Sequence, residues 1–498
     1  MTRTRIVAAV TVSLIVAGTS SSGHAAARLP HFSPQAHPNV VVFMVDDANV
    51  EDIDYMPEVQ ARLVDPGVAF AKNYSPNQLC CPARATALTG NYSHNTGVVD
   101  NVAPLGGVTA FDDSSTLATW LDPDYRTAFV GKYLNQYGQQ AGGNAYVPPG
   151  WDEWKVPPGR VTYHYLGQHL NANGTMRDFS GIYSTTLYGN QSRAFLGAGN
   201  SDPFFLFASF VGPHAGRPHE PGDPAMPTPY VEPKYQDTYI GPPLPTDTSV
   251  NEPDISDKRN SFQDTPPLSD EKLADISEVL AQRREAMQSV DDQIARIMDK
   301  VAAIGAADDT YYIFVSDNGF FQGQHRIPRG KEQPYEADAR VPLIIAGPGL
   351  PPGAVVMQVS GLQDIAPTVL SMTNEWGTQG AASIDGASLL PLAAGGASPR
   401  AQLLETAVTD HMSDQAANEI GAYGSRTTIT WAARSIVTSD GWKYVAYPQT
   451  GEIELYDLDA DPFELNNLGR DPDYDAKQAS LAARLSTLKR CSGADCRR

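Results

Sequence analysis

The chain has 498 residues, enough for two or three ordinary domains or for one large α/β core with an appendage. Hydrophobic residues make up 41% and charged residues 19%, which is ordinary globular usage and excludes disordered and fibrous chains. Lys and Arg number 36 against 57 Asp and Glu, so the formal net charge is -21. This balance argues against nucleic acid and anionic membranes as partners, since both need a basic surface. It also disfavours a long polyanion, whereas one small anion can enter a locally basic pocket.

The N-terminal residues predict a secretory signal peptide over residues 1–27. Arg3 and Arg5 form a basic start, residues 6–17 are a short apolar run, and alanines at positions 25 to 27 offer cleavage sites. The apolar run is too short to span a bilayer, and no later stretch is long enough. We therefore expect a secreted protein, extracellular or periplasmic, that makes no use of a membrane.

The four cysteines fall into two pairs. Cys491 and Cys496 lie close together near the C-terminus, and in an exported protein this spacing predicts a small local disulfide. Cys80 and Cys81 are adjacent, and adjacent cysteines rarely bond each other because the geometry is strained. This second pair needs another explanation.

Five apolar, β-branched runs predict buried strands, at residues 39–45, 125–130, 203–210, 311–315 and 341–346. A long helix is predicted over residues 270–304, where apolar residues recur at helical spacing. On this helix we expect Arg283, Arg284 and Glu285 to form a solvated face. Buried strands that alternate with helices indicate an α/β fold with a doubly wound, mostly parallel sheet, and we assign it to residues 36–370.

Two segments depart from this pattern. Residues 211–267 are rich in Pro, Asp and Thr, which predicts a long surface excursion that frames a site. After residue 370, short strands at 435–440, 442–447 and 452–458 and a final helix at 475–489 predict a smaller C-terminal α+β subdomain over 371–498.

Two of the predicted strands run directly into polar side chains. Asp46 and Asp47 follow the first strand, and Asp317 and Asn318 follow the fourth. Ligands of parallel sheets gather outside the carboxyl ends of the strands, so these groups are expected to meet. Three carboxylates and an amide oxygen repel one another without a cation, and hard oxygen ligands favour Ca²⁺ or Mg²⁺ over zinc. For either pair alone, capping of the next helix or turn remains an equal alternative.

The segment CCPARATALTG, residues 80–90, resembles the signature of the type I sulfatases, C-x-[PSA]-x-R followed by T-G. In that family a formylglycine-generating enzyme converts the first Cys to formylglycine (3-oxoalanine), whose hydrate supplies the nucleophilic oxygen. The spacing to Thr89 and Gly90 implies that Cys80 is the converted residue and that Cys81 occupies the variable position. A buried structural thiol is the alternative for Cys80.

The resemblance covers residues 39–468 and implies an alkaline-phosphatase-like fold. It rests further on GKYLN at 131–135, GPH at 212–214 and GK at 330–331, which is followed by YE and RVPL. It implies that Arg84 holds the formylglycine hydrate, that Lys132 and Lys331 contact sulfate, and that a histidine contacts the sulfate or the leaving oxygen. The implied catalytic residues are Cys80, Arg84, Lys132, His214 and Lys331, and one Ca²⁺ is implied at Asp46, Asp47, Cys80, Asp317 and Asn318.

One position departs from the common family pattern. Many members have His where this chain has Leu134, and the segments GKYLN and PPGWDEW are instead similar to the N-acetylglucosamine-6-sulfatase and endosulfatase branch. The identity of the group that activates the hydrate therefore stays undecided at this point. His325 is a conceivable substitute, although a loop or supporting role is the favoured interpretation.

The resemblance implies a sulfuric ester hydrolase for aryl sulfates or sulfated sugars such as N-acetylglucosamine 6-sulfate. Two alternatives stay open at this point. The first is a formylglycine-dependent phosphonate monoester or phosphodiester hydrolase on the same fold, because the same nucleophile and cations also serve phosphorus. The second is a sulfated-glycan-binding protein whose Cys80 is never converted.

Overall fold

A ten-stranded sheet and a four-stranded sheet organise the computed structural model, which describes residues 37–198, 202–239, 242–376, 383–407 and 427–497. In these residues the strands are β1 (Asn39–Asp46), β2 (Val68–Tyr74), β3 (Arg126–Gly131), β4 (Glu153–Val156), β5 (His169–Ala172), β6 (Thr175–Asp178), β7 (Phe204–Pro213), β8 (Thr310–Ser316), β9 (Leu343–Ala346), β10 (Ala354–Gly361), β11 (Ala401–Ala407), β12 (Trp431–Thr438), β13 (Trp442–Ala446) and β14 (Ile453–Asp457).

The helices of the same residues vary from single turns to a helix of 34 residues. They are α1 (Pro57–Val59), α2 (Cys80–Thr89), α3 (Ser93–Thr96), α4 (Leu117–Leu121), α5 (Ser184–Gly197), α6 (Asn260–Gln263), α7 (Asp270–Ala303), α8 (Glu336–Ala339), α9 (Ile365–Thr373), α10 (Leu390–Ala393) and α11 (Asp475–Leu488). No helix among the described residues is long and apolar enough to cross a membrane. The predicted signal peptide lies outside the described residues.

The large sheet has the strand order β10-β2-β9-β8-β1-β7-β3-β4-β5-β6. Its centre is parallel, because β8, β1, β7, β3 and β4 all run in one direction. Helices cover both faces: Val41, Phe43 and Val45 of β1 share one core with α5 and α7, and α9 contacts the same strand. Burial on both faces explains the continuous apolar run of β1. The predicted doubly wound, mostly parallel α/β fold is confirmed.

Strands β9, β2 and β10 differ from the predicted pattern. β9 begins at Leu343 rather than at residue 341, since Pro342 has no N–H for a sheet ladder, and it runs antiparallel to β2 and β8. The apolar pattern missed β2, which carries Lys72 and Asn73, and β10, which is only partly buried. Strands that carry polar residues or are only partly buried lack the continuous apolar run by which the central strands are predicted.

The small sheet is antiparallel, in the order β11-β12-β13-β14, and α11 packs on it. Cys491 and Cys496 form the predicted disulfide next to this helix. The predicted strands and the final helix are present, and β11 is an additional strand that the pattern missed. All described residues fall within one compact unit, so a domain boundary at residues 370–371 stays a prediction.

His94 connects helix α3 to the small C-terminal sheet and to the C-terminal disulfide. Its Nδ1 lies 2.8 Å from Glu405 Oε2 on β11, and its Nε2 lies 2.9 Å from the Cys491 carbonyl oxygen. Since a carboxylate and a carbonyl both accept hydrogen bonds, both ring nitrogens must donate, which requires the protonated imidazole. Burial alone lowers the pKa of His94, but the Glu405 hydrogen bond and charge outweigh it and raise that pKa above its usual value.

We expect this link to stabilise the fold in acid and to weaken in base. Because the pKa is raised in the folded state, the contribution is fully present below the unfolded value of about 6.5 and is lost as the pH rises through the folded value. His94→Gln should therefore lower the free energy of unfolding by about 2 kcal/mol at pH 6 and by much less at pH 9, measured by denaturant unfolding. His169→Gln, at an exposed His–Asp pair, is the control. A difference between wild type and His94→Gln that does not change with pH would contradict this assignment.

Candidate active site

Two adjacent parallel strands deliver the predicted carboxylates to one place. β1 pairs with β8 so that Val45 lies opposite Ser316, and the polar residues follow directly on both strands. The two loops are joined, since the Asp47 N–H donates to Asp317 Oδ1 at 3.2 Å. Asp47 has a φ of 67°, a left-handed conformation that its short polar side chain tolerates. The side chains of Asp46, Asp47, Asp317 and Asn318 are all fully buried.

Cys80 is the first residue of α2 and enters this cluster from the neighbouring helix terminus. Its Sγ lies 3.4 Å from Asp46 Oδ1 and 2.9 Å from Lys331 Nζ. Cys81 follows on another face, where its N–H donates to Asn101 Oδ1 at 2.8 Å. The two cysteines thus have different surroundings although both are buried and unbonded.

Three cations face the three carboxylates. Arg84 stands one helical turn after Cys80, and its Nε donates to Asp317 Oδ2 at 2.8 Å. Lys132 contacts Asp46, and Lys331 Nζ lies 2.6 Å from Asp47 Oδ1. Each cation and each carboxylate of the cluster is therefore in contact with a group of opposite charge.

A glycine at the end of β3 brings Lys132 into position. Gly131 has a φ of 103°, and a Cβ there would lie 1.9 Å from the Ser209 carbonyl oxygen on β7. Only glycine permits so close an approach of the two strands. Arg84 joins the same junction, since its Nη1 donates to Ser209 Oγ at 2.7 Å and to the Lys132 carbonyl at 2.8 Å.

His214 lies directly after β7 and reaches the cluster from that strand. Its Nδ1 lies 2.6 Å from the Ala215 carbonyl oxygen, and a carbonyl partner requires that Nδ1 carry the proton. Its Nε2 lies 3.7 Å from Asp47 Oδ2. The structure thus brings together all nine residues that the sequence singled out, which are Asp46, Asp47, Cys80, Arg84, Lys132, His214, Asp317, Asn318 and Lys331.

Opposite charges control the protonation of the buried groups. Burial raises the pKa of the Asp46 carboxyl, but Lys132 and His214 outweigh it and hold that pKa well below its usual range. Lys331 has the same effect on the pKa of Asp47. Burial, followed by the Asp46 charge, raises the pKa of the Cys80 thiol well above its usual value. At neutral pH Asp46 and Asp47 are therefore ionised and the Cys80 thiol is neutral, whereas burial and the Asp46 charge raise the pKa of the Asp317 carboxyl.

The donor set fits a hard divalent cation. Ligand atoms of Asp46, Asp47, Cys80 and His214 all lie within 4.8 Å of one another. Asp47 Oδ2 and Asn318 Oδ1 are buried and accept no hydrogen bond from the described residues. Oxygen atoms that are buried, anionic or amide, and unpartnered are the ligands that Ca²⁺ prefers. A cation there would complete the coordination that the protein leaves open.

His325 and Leu134 lie outside this cluster of charges. His325 is buried, its Nδ1 lies 2.6 Å from Glu252 Oε2, and its ring packs 4.5 Å from that of Tyr335. Leu134 is also buried. These contacts fit the supporting role that was favoured for His325.

Arg283 is buried beside the site, so the prediction of a solvated face for this residue is wrong. Instead of forming a solvated face, Arg283, Arg284 and Glu285 are each less than 5% exposed. Arg283 donates to the Asp47 carbonyl oxygen, lies 3.5 Å from that of Pro213, and stacks over Phe320. The signal was present in the spacing, because Arg283 falls on the apolar stripe three residues after Leu280 and four before Met287.

Tyr163 is a further residue beside the site that no sequence signal indicated. It ends a 3₁₀ helix (Gly159–Tyr163), and its ring stacks on that of His214 with centroids 4.5 Å apart. Lys132 Nζ lies 5.0 Å from the same ring. Tyr163 therefore borders both a cation and the histidine of the cluster.

Comparison with known proteins identifies the family of this constellation. A family model described as sulfatase matches residues 38–375, and a model described as N-sulphoglucosamine sulphohydrolase, C-terminal, matches residues 323–491. The chain belongs to the sulfatase family. It is thus an enzyme, a sulfuric ester hydrolase.

Several curated relatives match this sulfatase over most of its length. The N-acetylglucosamine-6-sulfatase of Capra hircus is 29% identical over 92% of this chain and 85% of its own. The arylsulfatase of Volvox carteri is 29% identical over 94% of this chain and 77% of its own. The putative extracellular sulfatase Sulf-1 homolog of Caenorhabditis elegans is 32% identical over 73% of this chain and 50% of its own.

Solved structures show the same fold. A protein in complex with its substrate D-glucosamine-2-N,6-O-disulfate matches with a TM-score of 0.67 and 23% identity, over 91% of this chain and 98% of that one. The phosphonate monoester hydrolase of Agrobacterium radiobacter matches with a TM-score of 0.64 and 23% identity, over 91% and 95%. The sulfatase therefore has the alkaline-phosphatase-like fold that the sequence predicts.

Arg283 should affect catalysis through the positions of Asp47 and His214. It holds the backbones of Asp47 and Pro213, so its loss should misplace Asp47 and His214 together. We expect Arg283→Met to lower kcat/KM for an aryl sulfate about 100-fold, since small misplacements of reacting groups cost that much.

Arg284→Met is the matched control for this prediction. Arg284 is equally buried, but it donates to Tyr239 and packs on Tyr55, away from the cluster. Both variants should lose thermal stability, whereas only Arg283→Met should lose activity in steady-state assays at saturating Ca²⁺. Equal activity losses in the two variants would reduce Arg283 to an ordinary structural residue.

Proposed function

We propose that this sulfatase hydrolyses sulfate monoesters, aryl sulfates or sulfated sugars such as N-acetylglucosamine 6-sulfate, through a formylglycine formed at Cys80. The observation that carries the proposal is the position of Cys80 at the start of α2, inside a fully buried ring of carboxylates and cations. Such a ring suits the attack of an oxygen nucleophile on an anionic ester. A thiol with only a structural role would not require carboxylates and cations around it.

One Ca²⁺ belongs to the proposal, held by Asp46, Asp47, Asp317, Asn318 and residue 80. Bound there, a divalent cation would lower the pKa of an oxygen nucleophile and polarise the sulfate group. The unpartnered oxygens of Asp47 and Asn318 support this ligand set. Arg84, Lys132 and Lys331 contact Asp317, Asp46 and Asp47 among these ligands.

The protein's own groups have separate tasks in this mechanism. Arg84, whose Nη2 makes no hydrogen bond to the described residues, is assigned to the formylglycine hydrate. Lys132 and Lys331 would hold the equatorial sulfate oxygens and stabilise the charge that grows on them. His214 would donate a proton to the departing oxygen, a role worth about 10² to 10⁴ in rate.

The relatives support the substrate class. Both the N-acetylglucosamine-6-sulfatase and the arylsulfatase match nearly the whole of this chain, so both ester types belong to the proposal. A phosphonate monoester is the competing substrate, because an enzyme for that class has the same fold. Sulfatase family membership favours sulfate.

Maturation and export complete the proposal. A formylglycine-generating enzyme would act on residues 80–90 before the chain folds, because Cys80 is fully buried afterwards. Export through the signal peptide at residues 1–27 fits the relatives named as extracellular sulfatases. We further propose a catalytic domain over residues 36–370 and a C-terminal subdomain over 371–498.

The adjacent cysteines provide a direct test of the nucleophile. Wild type, Cys80→Ala and Cys81→Ala would each be co-produced with a formylglycine-generating enzyme and assayed on p-nitrophenyl sulfate and on a p-nitrophenyl phosphonate monoester. We expect Cys80→Ala to lose at least about 1,000-fold in kcat and Cys81→Ala to stay within about threefold of wild type. Wild type should prefer the sulfate ester.

Mass spectrometry of residues 80–90 in the same samples shows whether conversion occurred. Full sulfate turnover by Cys80→Ala would overturn the proposed nucleophile. Faster turnover of the phosphonate would leave the site intact but reassign the substrate class. A converted wild type that turns over neither of these esters nor N-acetylglucosamine 6-sulfate would overturn the proposed function.

Calcium should stabilise the folded protein measurably. A ligand that binds only the native state at 100 times its Kd adds about 2.7 kcal/mol to the free energy of unfolding. After chelation, we expect Ca²⁺ to raise the Tm of wild type by a few degrees, and Asn318→Ala to need about tenfold more Ca²⁺ for the same rise. Asn49→Ala is the control, because Asn49 is buried nearby but bonds the Phe320 and Ala337 carbonyls. A Tm that does not change with Ca²⁺ in wild type or in either variant would exclude the metal.

A further inference from the structure

Lys331 lies on a short loop outside the helices and strands, and this loop is held on both sides of the lysine. Before it, the Gly330 carbonyl oxygen accepts a hydrogen bond from the Phe321 N–H at 2.8 Å. After it, the Gln333 N–H donates to Asp338 Oδ2 at 2.8 Å. The place of the lysine in the site therefore depends on what anchors this loop.

The backbone next to Lys331 has an unusual conformation. Gly330 has a φ of 109° and Glu332 has a φ of 72°, and both values lie in the left-handed region. A residue other than glycine keeps such a conformation only where its surroundings hold it. Contacts with the rest of the molecule must therefore maintain the loop.

The small C-terminal sheet and the segment after it contact the two residues at which the loop ends. Tyr335 Oη donates to Glu454 Oε1 on β14 at 3.1 Å. The Glu336 N–H donates to Glu464 Oε2 at 2.6 Å, and Glu336 Oε1 lies 3.1 Å from Lys443 Nζ on β13. Glu454, Glu464 and Lys443 are each at most 1% exposed. Three buried side chains of the C-terminal segment thus hold the end of the Lys331 loop.

Buried ionic groups are an unusual choice if stability is their only role. Lys443 Nζ contacts the carboxylates of both Glu336 and Glu464. Well-packed apolar side chains often stabilise a fold as much as a buried ion pair does, or more. A buried polar network instead gives the segment that it holds a rigid and unique position. This property suits a segment that carries a site residue.

We propose, on the basis of the proposed function, that Tyr335 and Glu454 are positioning residues for Lys331, so that the C-terminal sheet takes part in sulfate ester hydrolysis. Lys331 Nζ lies 2.9 Å from Cys80 Sγ and 2.6 Å from Asp47 Oδ1. The loop therefore sets the distance between this cation and the residue that would carry the nucleophile. A shift of the loop would move the cation away from the sulfate group that it would hold.

Removal of one hydroxyl group tests this link. Tyr335→Phe loses the hydrogen bond to Glu454 and keeps the ring that packs on His325. We expect this variant, converted to the formylglycine form, to lose about tenfold in kcat/KM for p-nitrophenyl sulfate, because small misplacements of reacting groups lower the rate strongly.

Tyr125→Phe is the matched control. Tyr125 is also buried, its Oη donates to the Pro38 carbonyl oxygen at 3.0 Å, and it precedes β3, at the end of that strand opposite Lys132. Both variants lose one buried hydroxyl and should lose similar thermal stability. Only Tyr335→Phe should lose activity.

A double-mutant cycle shows whether the loss is transmitted through Lys331. In the Lys331→Ala background, Tyr335→Phe should change kcat/KM by less than about twofold, because the cation that it positions is absent. A general structural effect would lower the activity by the same factor in both backgrounds.

Hydrogen exchange measured by mass spectrometry tests the link without an assay of activity. Amides of residues 330–338 should exchange about tenfold faster in Tyr335→Phe than in wild type, and at the wild-type rate in Tyr125→Phe. If Tyr335→Phe does not fold, exchange of wild type in low denaturant decides, and residues 330–338 should then open together with β14.

Three results would overturn the inference. They are equal activity losses in the two tyrosine variants, a loss in Tyr335→Phe that persists in the Lys331→Ala background, and exchange of residues 330–338 that is independent of Tyr335 and β14. A failure of the proposed function would instead appear as absent turnover of every sulfate ester by converted wild type, whatever the hydrogen exchange shows.

Discussion

The site depends on the balance of charge around three buried carboxylates. Carboxylate oxygens of Asp46 and Asp47 lie within 4.8 Å of each other. At this distance two negative charges in a protein interior repel each other strongly. Arg84, Lys132 and Lys331 supply an equal number of positive charges. A divalent cation would then leave the cluster with two positive charges in excess, before any charge on His214 is counted. A pocket with an excess of positive charge attracts an anionic ester but does not retain the uncharged alcohol after hydrolysis.

The parallel centre of the sheet makes this concentration of charge possible. Strands β8, β1, β7 and β3 are consecutive neighbours, and each ends at the same edge. The residues that follow them are Asp317, Asp47, His214 and Lys132, so four separate strands contribute to one cluster. Helix α2 adds Cys80 and Arg84 one turn apart. No long loop is needed to bring these groups together, which keeps them rigid.

Sequence could predict the parts of this site that are carried by local patterns. Apolar runs that end in Asp46 and Asp317 predict strand ends, and the segment at residues 80–90 is recognisable by itself. Contacts that depend on tertiary packing were harder. Arg283 lay on an apolar stripe, yet a charged residue on a long helix is ordinarily solvated. Only the position of α7 over the Asp47 loop shows why this arginine is buried.

Strand β2 and the loop that contains Asn135 and Gln136 show the same limit of prediction from sequence. Strand β2 contains the polar residues Lys72 and Asn73. Backbone hydrogen bonds hold it in the sheet, and these bonds cannot be predicted from the hydrophobicity of its side chains. Asn135 and Gln136 look like ordinary loop residues in the sequence. Their side-chain contacts with Ala103 and Tyr163 are visible only after the loop has folded.

The overall charge of the chain restricts where substrate selection can occur. A net charge of -21 repels anions at long range, but salt screens such repulsion beyond about 8 Å under physiological conditions. The buried cations Arg84, Lys132 and Lys331 must therefore attract the ester. In the proposed function Lys132 and Lys331 would contact the sulfate group, which every sulfate ester shares, so they cannot distinguish one ester from another. Discrimination between esters must therefore come from groups that contact the alcohol rather than from the charged cluster.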